Sequence, residues 1–481
     1  MASLNWIGKD AVVNHDKEVP FRLLEKVPSA SVGKASKNLL IHGDNLEALK
    51  ALMPFYKGKI KCIYIDPPYN TGNEGWVYND KVNSPKIREW LKKVVGREGE
   101  DLTRHDKWLC MMYPRLKLLR DLLRDDGGIF MSIDYNEEAH ARLLLSEIFG
   151  PNNYRNTFVV SRVKKNIQER EKVRALNFGY NSVLFFAKSE KCLIKPPRRY
   201  QKKEERWHAF DAPGIRPSME YDLLEKKPPN GRHWMYSQDR ADALLKSGEI
   251  RLSPRGAIQY LLKASDSTLL DTDWTDLQEY ASQWNYPNGE KNIELIKRII
   301  QMLSDGKDII LDSFAGSGTT AHAVLDLNKT DKGSRQFILV EMEDEVAKKI
   351  TAGRLKQVSK TDSYPDGFEF VELGKPLFNE KGQIDGECTY DELATYIYFT
   401  ETRTNINPKN LKEPLIGESA GTSYYLLYTE KNKNDLTRGA LSKLKINGPA
   451  VVYADRCLVD EDELRTKGVT FKQIPYEIKV Y

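Results

Sequence analysis

Cysteine is scarce. Five occur in 481 residues, at positions 62, 110, 192, 388 and 457, and no two form a Cys-x-x-Cys pair. That argues against a disulfide-stapled secreted scaffold and against a cysteine-built structural zinc site, and it suits a reducing cytosol. No metal is expected. Long hydrophobic runs are also missing: no stretch of about 18 apolar residues occurs, so no membrane-spanning helix is expected. The N-terminus is polar and charged and lacks a signal-peptide core, which points to a cytoplasmic protein. Neither sign of charge dominates. Lys and Arg number 74 against 69 Asp and Glu, a net charge of +5. Such a mild basic balance is compatible with nucleic acid without identifying it. No internal repeat or long low-complexity tract is present. With 40% hydrophobic and 30% charged residues, the chain reads as globular and long enough for two or three domains.

What is present is more telling. Residues Asp66-Pro67-Pro68-Tyr69-Asn70-Thr71-Gly72 follow the apolar run Ile63-Tyr64-Ile65. Proline fixes its own φ and biases the preceding residue toward extended geometry, so the segment forms a rigid ledge. It carries a hydrogen-bond acceptor beside a flat ring. Such a ledge suits a planar base bearing an exocyclic amino group. Asp66 accepts one amino hydrogen and a backbone carbonyl near Pro67 the other, which frees the nitrogen lone pair from the ring. Tyr69 stacks on the base, a contact worth roughly 1–3 kcal/mol. A base inside a duplex must flip out to reach it, at a cost of a few kcal/mol. The alternative is a strand-end turn with an ordinary surface carboxylate.

A second motif lies 248 residues further on. The strand-like run Ile309-Ile310-Leu311-Asp312-Ser313 leads into Phe314-Ala315-Gly316-Ser317-Gly318-Thr319-Thr320 and a helical stretch from Ala321. Strand, glycine-rich turn and helix make a nucleotide-type cradle. The third glycine of the dinucleotide fingerprint and the P-loop lysine are both missing, which argues for a ligand without phosphates. The next strand, Gln336–Val340, ends at Glu341, and an acid there suits a ribose diol. Glycine turn, diol acceptor and no phosphate clamp point to S-adenosylmethionine. A simple tight turn is the alternative for the glycines taken alone.

Asp66-Pro67-Pro68-Tyr69 together with Phe314-Ala315-Gly316-Ser317-Gly318 resembles the amino-DNA methyltransferases, in the permuted beta-class order with the target motif first. Trp6–Lys9, Val19–Leu24, Leu39–Leu49 and Phe471–Tyr476 are similar to the modification subunits of Type III restriction–modification systems and their solitary relatives. The resemblance implies catalytic Asp66, Pro67, Pro68 and Tyr69. It implies cofactor contacts from Asp44, Asp312, Phe314, Gly316, Gly318, Thr319, Glu341 and Lys291. Asp44 reads equally as the N-cap of the helix that follows. Lys291 stands where the family shows Lys-Pro, but Asn292 follows it here and reads as a helix cap. Asp134 ends the strand 128–133, as an active-site wall or as a satisfied strand-end carboxylate.

Strand patterns at 39–41, 61–65, 128–133, 156–160 and 182–186 alternate with helical patterns at 108–123 and 137–149. Alternation implies an α/β fold with a mostly parallel, doubly wound sheet, which the strands at 309–313 and 336–340 complete. The resemblance makes this a circularly permuted, Rossmann-like methyltransferase sheet. The expected organisation is an N-terminal arm (1–37), the methyltransferase domain (38–189 and 286–370), an inserted target-recognition domain (190–285) and a small C-terminal α/β interaction domain (371–481). The insert interleaves basic residues with Tyr200, Trp207, Phe210, Trp234, Tyr236, Tyr260, Trp274 and Trp284, as suits a phosphate-tracking, base-reading surface; the alternative is a charged face over an ordinary small core. Arg232 and Arg255 are candidates for a guanine edge. Segment Lys81–Arg104 reads as a loop closing near DNA, and the basic tract 162–174 as phosphate-tracking.

The expected function is site-specific methylation of adenine N6 in double-stranded DNA, as the modification subunit of a restriction–modification system or a solitary relative. The resemblance suggests a homodimer and a possible restriction partner. Cytosine-N4 methylation and a catalytically dead DNA-binding specificity subunit are the alternatives. An RNA or protein-amide methyltransferase fits the large basic insert less well.

Overall fold

Apolar strands alternating with amphipathic helices assemble a three-layer α/β body. The computed structural model describes residues 4–33, 36–70, 104–162, 176–281, 289–361, 367–379, 382–406, 411–430 and 433–476. The chain divides into two compact units, Met1–Lys195 with Thr272–Tyr481, and Pro196–Asp271.

Among the described residues of the larger unit, ten strands form one sheet. They are β1 (Leu24–Lys26), β2 (Leu39–His42), β3 (Ile60–Ile65), β4 (Leu123–Ile133), β5 (Tyr154–Ser161), β6 (Tyr180–Ala187), β7 (Asp273–Gln278), β8 (Ile309–Asp312), β9 (Gln336–Glu341) and β10 (Glu369–Leu373). Their order is β1-β10-β2-β9-β8-β3-β4-β6-β5-β7. The run from β10 to β4 is parallel throughout. β1 joins its edge antiparallel, and β6 lies antiparallel to both neighbours.

The helices cover both faces, as parallel strands require. Alternate residues of β3 serve the two layers. Ile63 and Ile65 pack with α1 (Asn45–Tyr56), α2 (Arg104–Leu122) and α3 (Glu138–Phe149). Cys62 and Tyr64 pack with α4 (Ile293–Leu303), α5 (Thr319–Asp331) and α6 (Ala352–Thr361). The chain leaves β3 toward one face and β8 toward the other. Their shared edge is therefore a switch point, where open α/β sheets hold their ligands. No helix among the described residues is long and apolar enough to cross a membrane.

Residues before β2 are not a detached arm. β1 extends the sheet, and Lys117 on α2 binds Asp16 at 2.6 Å. The C-terminal section builds its own four-stranded sheet from Leu415–Ser419, Thr422–Leu426, Ala450–Ala454 and Val469–Gln473. Its core admits Phe21 and Phe55 from the N-terminal part. A helix, Tyr390–Thr402, opens on a capping box between Thr389 and Glu392.

The smaller unit is narrower than the insert expected over 190–285. Phe210, Trp234 and Tyr260 are buried in its own core, so these rings are not a stacking surface. A unit this small needs its aromatics to exclude water. Trp274 likewise offers no stacking ring: it sits on β7 of the large sheet, fully buried, with its ring 4.0 Å from that of Phe158. Arg232 is engaged by Asp211. What remains exposed is the strand Arg198–Lys203, paired antiparallel with Ser265–Leu269. Trp284, residues 81–103 of the expected DNA-closing loop, and 163–174 of the basic tract lie outside the described residues.

Candidate active site

Parallel strands end together, so the residues that follow them share one edge of the sheet. Here that edge is acidic. Asp44 follows β2, Glu341 closes β9, Asp312 closes β8, Asp66 follows β3 and Asp134 follows β4, all neighbours in strand order. Each carboxylate is treated differently. Asp44 caps α1, accepting from Leu46 N–H at 2.8 Å and Glu47 N–H at 3.2 Å, and it faces Arg115 at 3.2 Å. Asp134 is buried and accepts from the Asn136 backbone at 2.9 Å and its amide at 2.8 Å, a satisfied strand-end carboxylate. Glu341 accepts from Gly316 N–H at 2.8 Å and Glu343 N–H at 3.0 Å. Asp312 accepts from Phe314 N–H at 2.9 Å and the Thr320 hydroxyl at 2.5 Å.

Burial raises the carboxyls of Asp312 and Glu341 to about 7, against their hydrogen bonds. Their folded values exceed the ordinary ones near 4, so the folded state holds these protons longer than the unfolded chain. Stability from this source is complete below about pH 4 and is lost as pH rises through 7. Asp312→Asn keeps the shape and carries no charge. It is expected to raise the melting temperature at pH 8 and leave it nearly unchanged at pH 4, as differential scanning calorimetry would show. An equal shift at both pH values would contradict the buried-charge account.

The Asp66–Tyr69 ledge is braced from two sides. The Trp108 indole N–H on α2 donates to the Pro68 carbonyl at 2.8 Å. On the other side, Tyr280–Ala281 pairs antiparallel with Glu290–Lys291, which brings Lys291 to the ledge. Its ammonium lies 3.0 Å from Asp66 Oδ1, 2.5 Å from Glu279 Oε1 and 2.5 Å from the Tyr69 hydroxyl, to which it donates. Tyr69 donates to Glu279 Oε1 at 2.5 Å, and Asn181 holds the other Glu279 oxygen. Burial opposes charge on Lys291, but Asp66 and Glu279 outweigh it and hold the ammonium well above its ordinary value. Burial raises Asp66 despite Lys291. Burial also holds the Tyr69 phenol well above its ordinary value, so it stays a donor. Asp66 Oδ1 is buried and, apart from its ion pair, accepts no hydrogen bond. It is an acceptor with capacity left.

One cleft joins the two motifs. Asp66 and Lys291 line it together with Asp312, Phe314, Gly316 and Thr319. Gly316 and Gly318 take φ of +48° and +78°, the left-handed region where a side chain is strained. A Cβ on Gly318 would come within 2.9 Å of the Thr351 methyl. Arg354 on α6 supports the turn from beneath, reaching Ser317 Oγ and Thr319 Oγ1 at 3.0 Å and Glu290 at 3.3 Å. The turn thus offers bare backbone backed by a buried acid, and the cation lining the cleft, Lys291, is tied to Asp66 and Glu279.

Sequence reasoning placed Asp66, Lys291 and the glycine turn but missed Glu279, Asn181, Trp108 and Arg354. Glu279 lay inside the stretch assigned to the insert. Its signal was the same strand-end rule that found Asp66, applied to β7.

Residues 60–352 match the family model described as DNA methylase. The chain is 29% identical to the Type III restriction-modification enzyme EcoP15I Mod subunit of Escherichia coli, over 80% of this chain and 72% of that protein. It is 30% identical to the StyLTI Mod subunit of Salmonella typhimurium, over 74% and 61%. It is 27% identical to the Type II methyltransferase M.KpnI of Klebsiella pneumoniae, over 71% and 92%. The chain thus spans between 58% and 72% of the length of the Type III Mod subunits it matches. Among solved structures, the M1.HpyAVI-SAM complex matches 66% of this chain and 98% of its own, at 16% identity and a TM-score of 0.31. The PvuII DNA methyltransferase (cytosine-N4-specific) matches 68% and 92%, at 14% and 0.35.

Proposed function

Because the chain belongs to the DNA methylase family, we propose that it transfers a methyl group from S-adenosylmethionine to adenine N6 in double-stranded DNA, as the modification subunit of a restriction–modification system. The observation that carries this reading is the single cleft lined by both Asp66 and Gly316. S-adenosylmethionine supplies an electrophilic methyl group when bound. Gly316, Gly318, Phe314 and Thr319 would let it approach the backbone closely, with Glu341 and Asp44 as acceptors for its hydroxyls and ring amine, and Asp312 beneath. Lys291 would meet the cofactor's carboxylate while keeping its ion pair to Asp66.

The target adenine flips onto the ledge. Asp66 accepts one N6 hydrogen and the Pro67 carbonyl the other, so the nitrogen lone pair is released toward the methyl carbon. Tyr69 stacks on the ring. Burial makes Asp66 a better proton acceptor, which suits the carboxylate nearest the proton that N6 must lose. Positioning and electrostatics supply most of the acceleration. The exposed basic strand Arg198–Lys203 is assigned to phosphate contact. The C-terminal section is assigned to a second copy of the chain and to a restriction subunit, as in a cytosolic homodimeric modification enzyme.

Trp108 is a buried core residue that also braces the ledge. Trp108→Phe leaves the Pro68 carbonyl without its donor, worth about 1–3 kcal/mol. A roughly tenfold slower turnover with near-normal cofactor binding is expected. Unchanged turnover would mean the ledge needs no brace.

The function is tested by incubating the protein with deuterated-methyl S-adenosylmethionine and unmodified genomic DNA, then analysing nucleosides by mass spectrometry. Labelled N6-methyladenine is expected. Labelled N4-methylcytosine would move the target to cytosine. No labelled base would favour a binding module.

A further inference from the structure

Behind the ledge lies a second polar cluster that the reaction above does not use. Glu137 precedes α3 and is fully buried, while His140 stands one turn on and His105 in the first turn of α2. His105 Nδ1 lies 2.7 Å from Glu137 Oε1, and His140 Nδ1 lies 3.0 Å from Glu137 Oε2. The two imidazoles face each other with centroids 4.7 Å apart. The donor atoms of the three side chains all lie within 4.8 Å of one another.

A hydrogen-bonded network explains only half of this. His105 has its bond to Glu137. Glu137 Oε2 and His140 Nδ1 are both buried, and neither makes a hydrogen bond despite their closeness. A buried carboxylate oxygen and a buried imidazole nitrogen left so cost free energy. A neutral His140 with its proton on Nδ1 is close enough to donate to Glu137 Oε2, but the two atoms are not aligned for that bond. One divalent cation satisfies all three donors at once.

We propose that His105, Glu137 and His140 form a metal site for a zinc-class divalent ion, which fixes the Asp66–Tyr69 ledge from behind. Two imidazole nitrogens and a carboxylate are a zinc donor set, with metal–ligand distances of about 2.0–2.2 Å and donors about 3.3 Å apart. The present spacings reach that arrangement with small side-chain shifts. The link to the ledge is Asn70. This residue follows Tyr69, adopts φ +56°, and donates its amide to Glu137 Oε1. With a metal on Glu137, Asn70 becomes the outer-shell donor that orients the ligating carboxylate. Sequence reading expected no metal because it looked for cysteine. The ligands here are histidines 35 residues apart on two helices.

The metal site stands without the methyltransferase reading; only its effect on the ledge rests on that reading. The full chain is stripped with a chelator, dialysed, and titrated with ZnCl2 by calorimetry. Co2+ serves as a spectroscopic probe. One saturable equivalent is expected, with a visible absorption band from tetrahedral Co2+. His105→Gln and His140→Gln should each weaken affinity at least tenfold while their circular dichroism spectra stay native. Glu137→Gln is less suitable, because its side chain is fully buried and a change there disturbs the packing as well as the ligand set. No saturable binding by the unaltered chain, or unchanged affinity in either histidine variant, overturns the site. A preparation inactive in methyl transfer still gives a readable titration, so the two readings fail separately.

Discussion

Asp66→Ala should lower methyl transfer by about 10²–10³-fold and leave S-adenosylmethionine binding close to normal. Asp66 is the proposed acceptor for the target amine, and its Oδ1 has accepting capacity left. Its removal does not dismantle the surroundings. Lys291 keeps Glu279 and Tyr69 at 2.5 Å, and the Asn181 contact to Glu279 is untouched. Burial already raises Asp66, so deleting it does not strip the fold of a favourable charge. Single-turnover transfer and calorimetric cofactor binding separate the effects. Activity within tenfold of the unaltered protein would remove Asp66 from the chemistry. Lost cofactor binding would make it part of the cradle instead.

Gly316→Val should abolish cofactor binding, with at least a hundredfold loss of affinity. A β-branched residue at φ +48° is a backbone outlier. The same residue is pinned at both ends: its N–H donates to Glu341, and its carbonyl accepts from the Thr351 hydroxyl at 2.6 Å. Strain at this position therefore displaces the acid, the turn and the start of α6 together. DNA binding should persist on the proposed assignment of phosphate contact to the exposed basic strand, which belongs to the other compact unit. Unchanged cofactor affinity by calorimetry would put the cradle elsewhere.

Which parts of this were legible in the sequence follows from how local each signal is. β3, β8 and β9 read as strands because central parallel strands are apolar on both faces, and Ile60–Ile65 is buried at every position. Asn292 read as a cap and does accept Glu294 N–H, at 3.0 Å. Asp44 had two readings. Its capping contacts are present, and its cofactor role remains a proposal. The partners of the ledge were not legible, because they come from far along the chain. Glu279 meets Tyr69 from 210 positions away, and Trp108 meets Pro68 from 40. Only the pairing of β7 with β5 delivers Glu279. That same pairing explains Trp274: between Asp273 and Asp276 it looks like a surface aromatic, yet it is the buried face of a sheet-edge strand. Aromatic spacing in the insert carried no sign of which rings face inward, and the small core claimed several of them.

The most direct measurement is a crystal structure of the protein with S-adenosylmethionine. The account predicts the cofactor along Gly316–Gly318, with its sulfonium methyl directed at Asp66 across the cleft that Lys291 flanks. A cofactor bound away from that turn, or with its methyl facing away from Asp66, would contradict it.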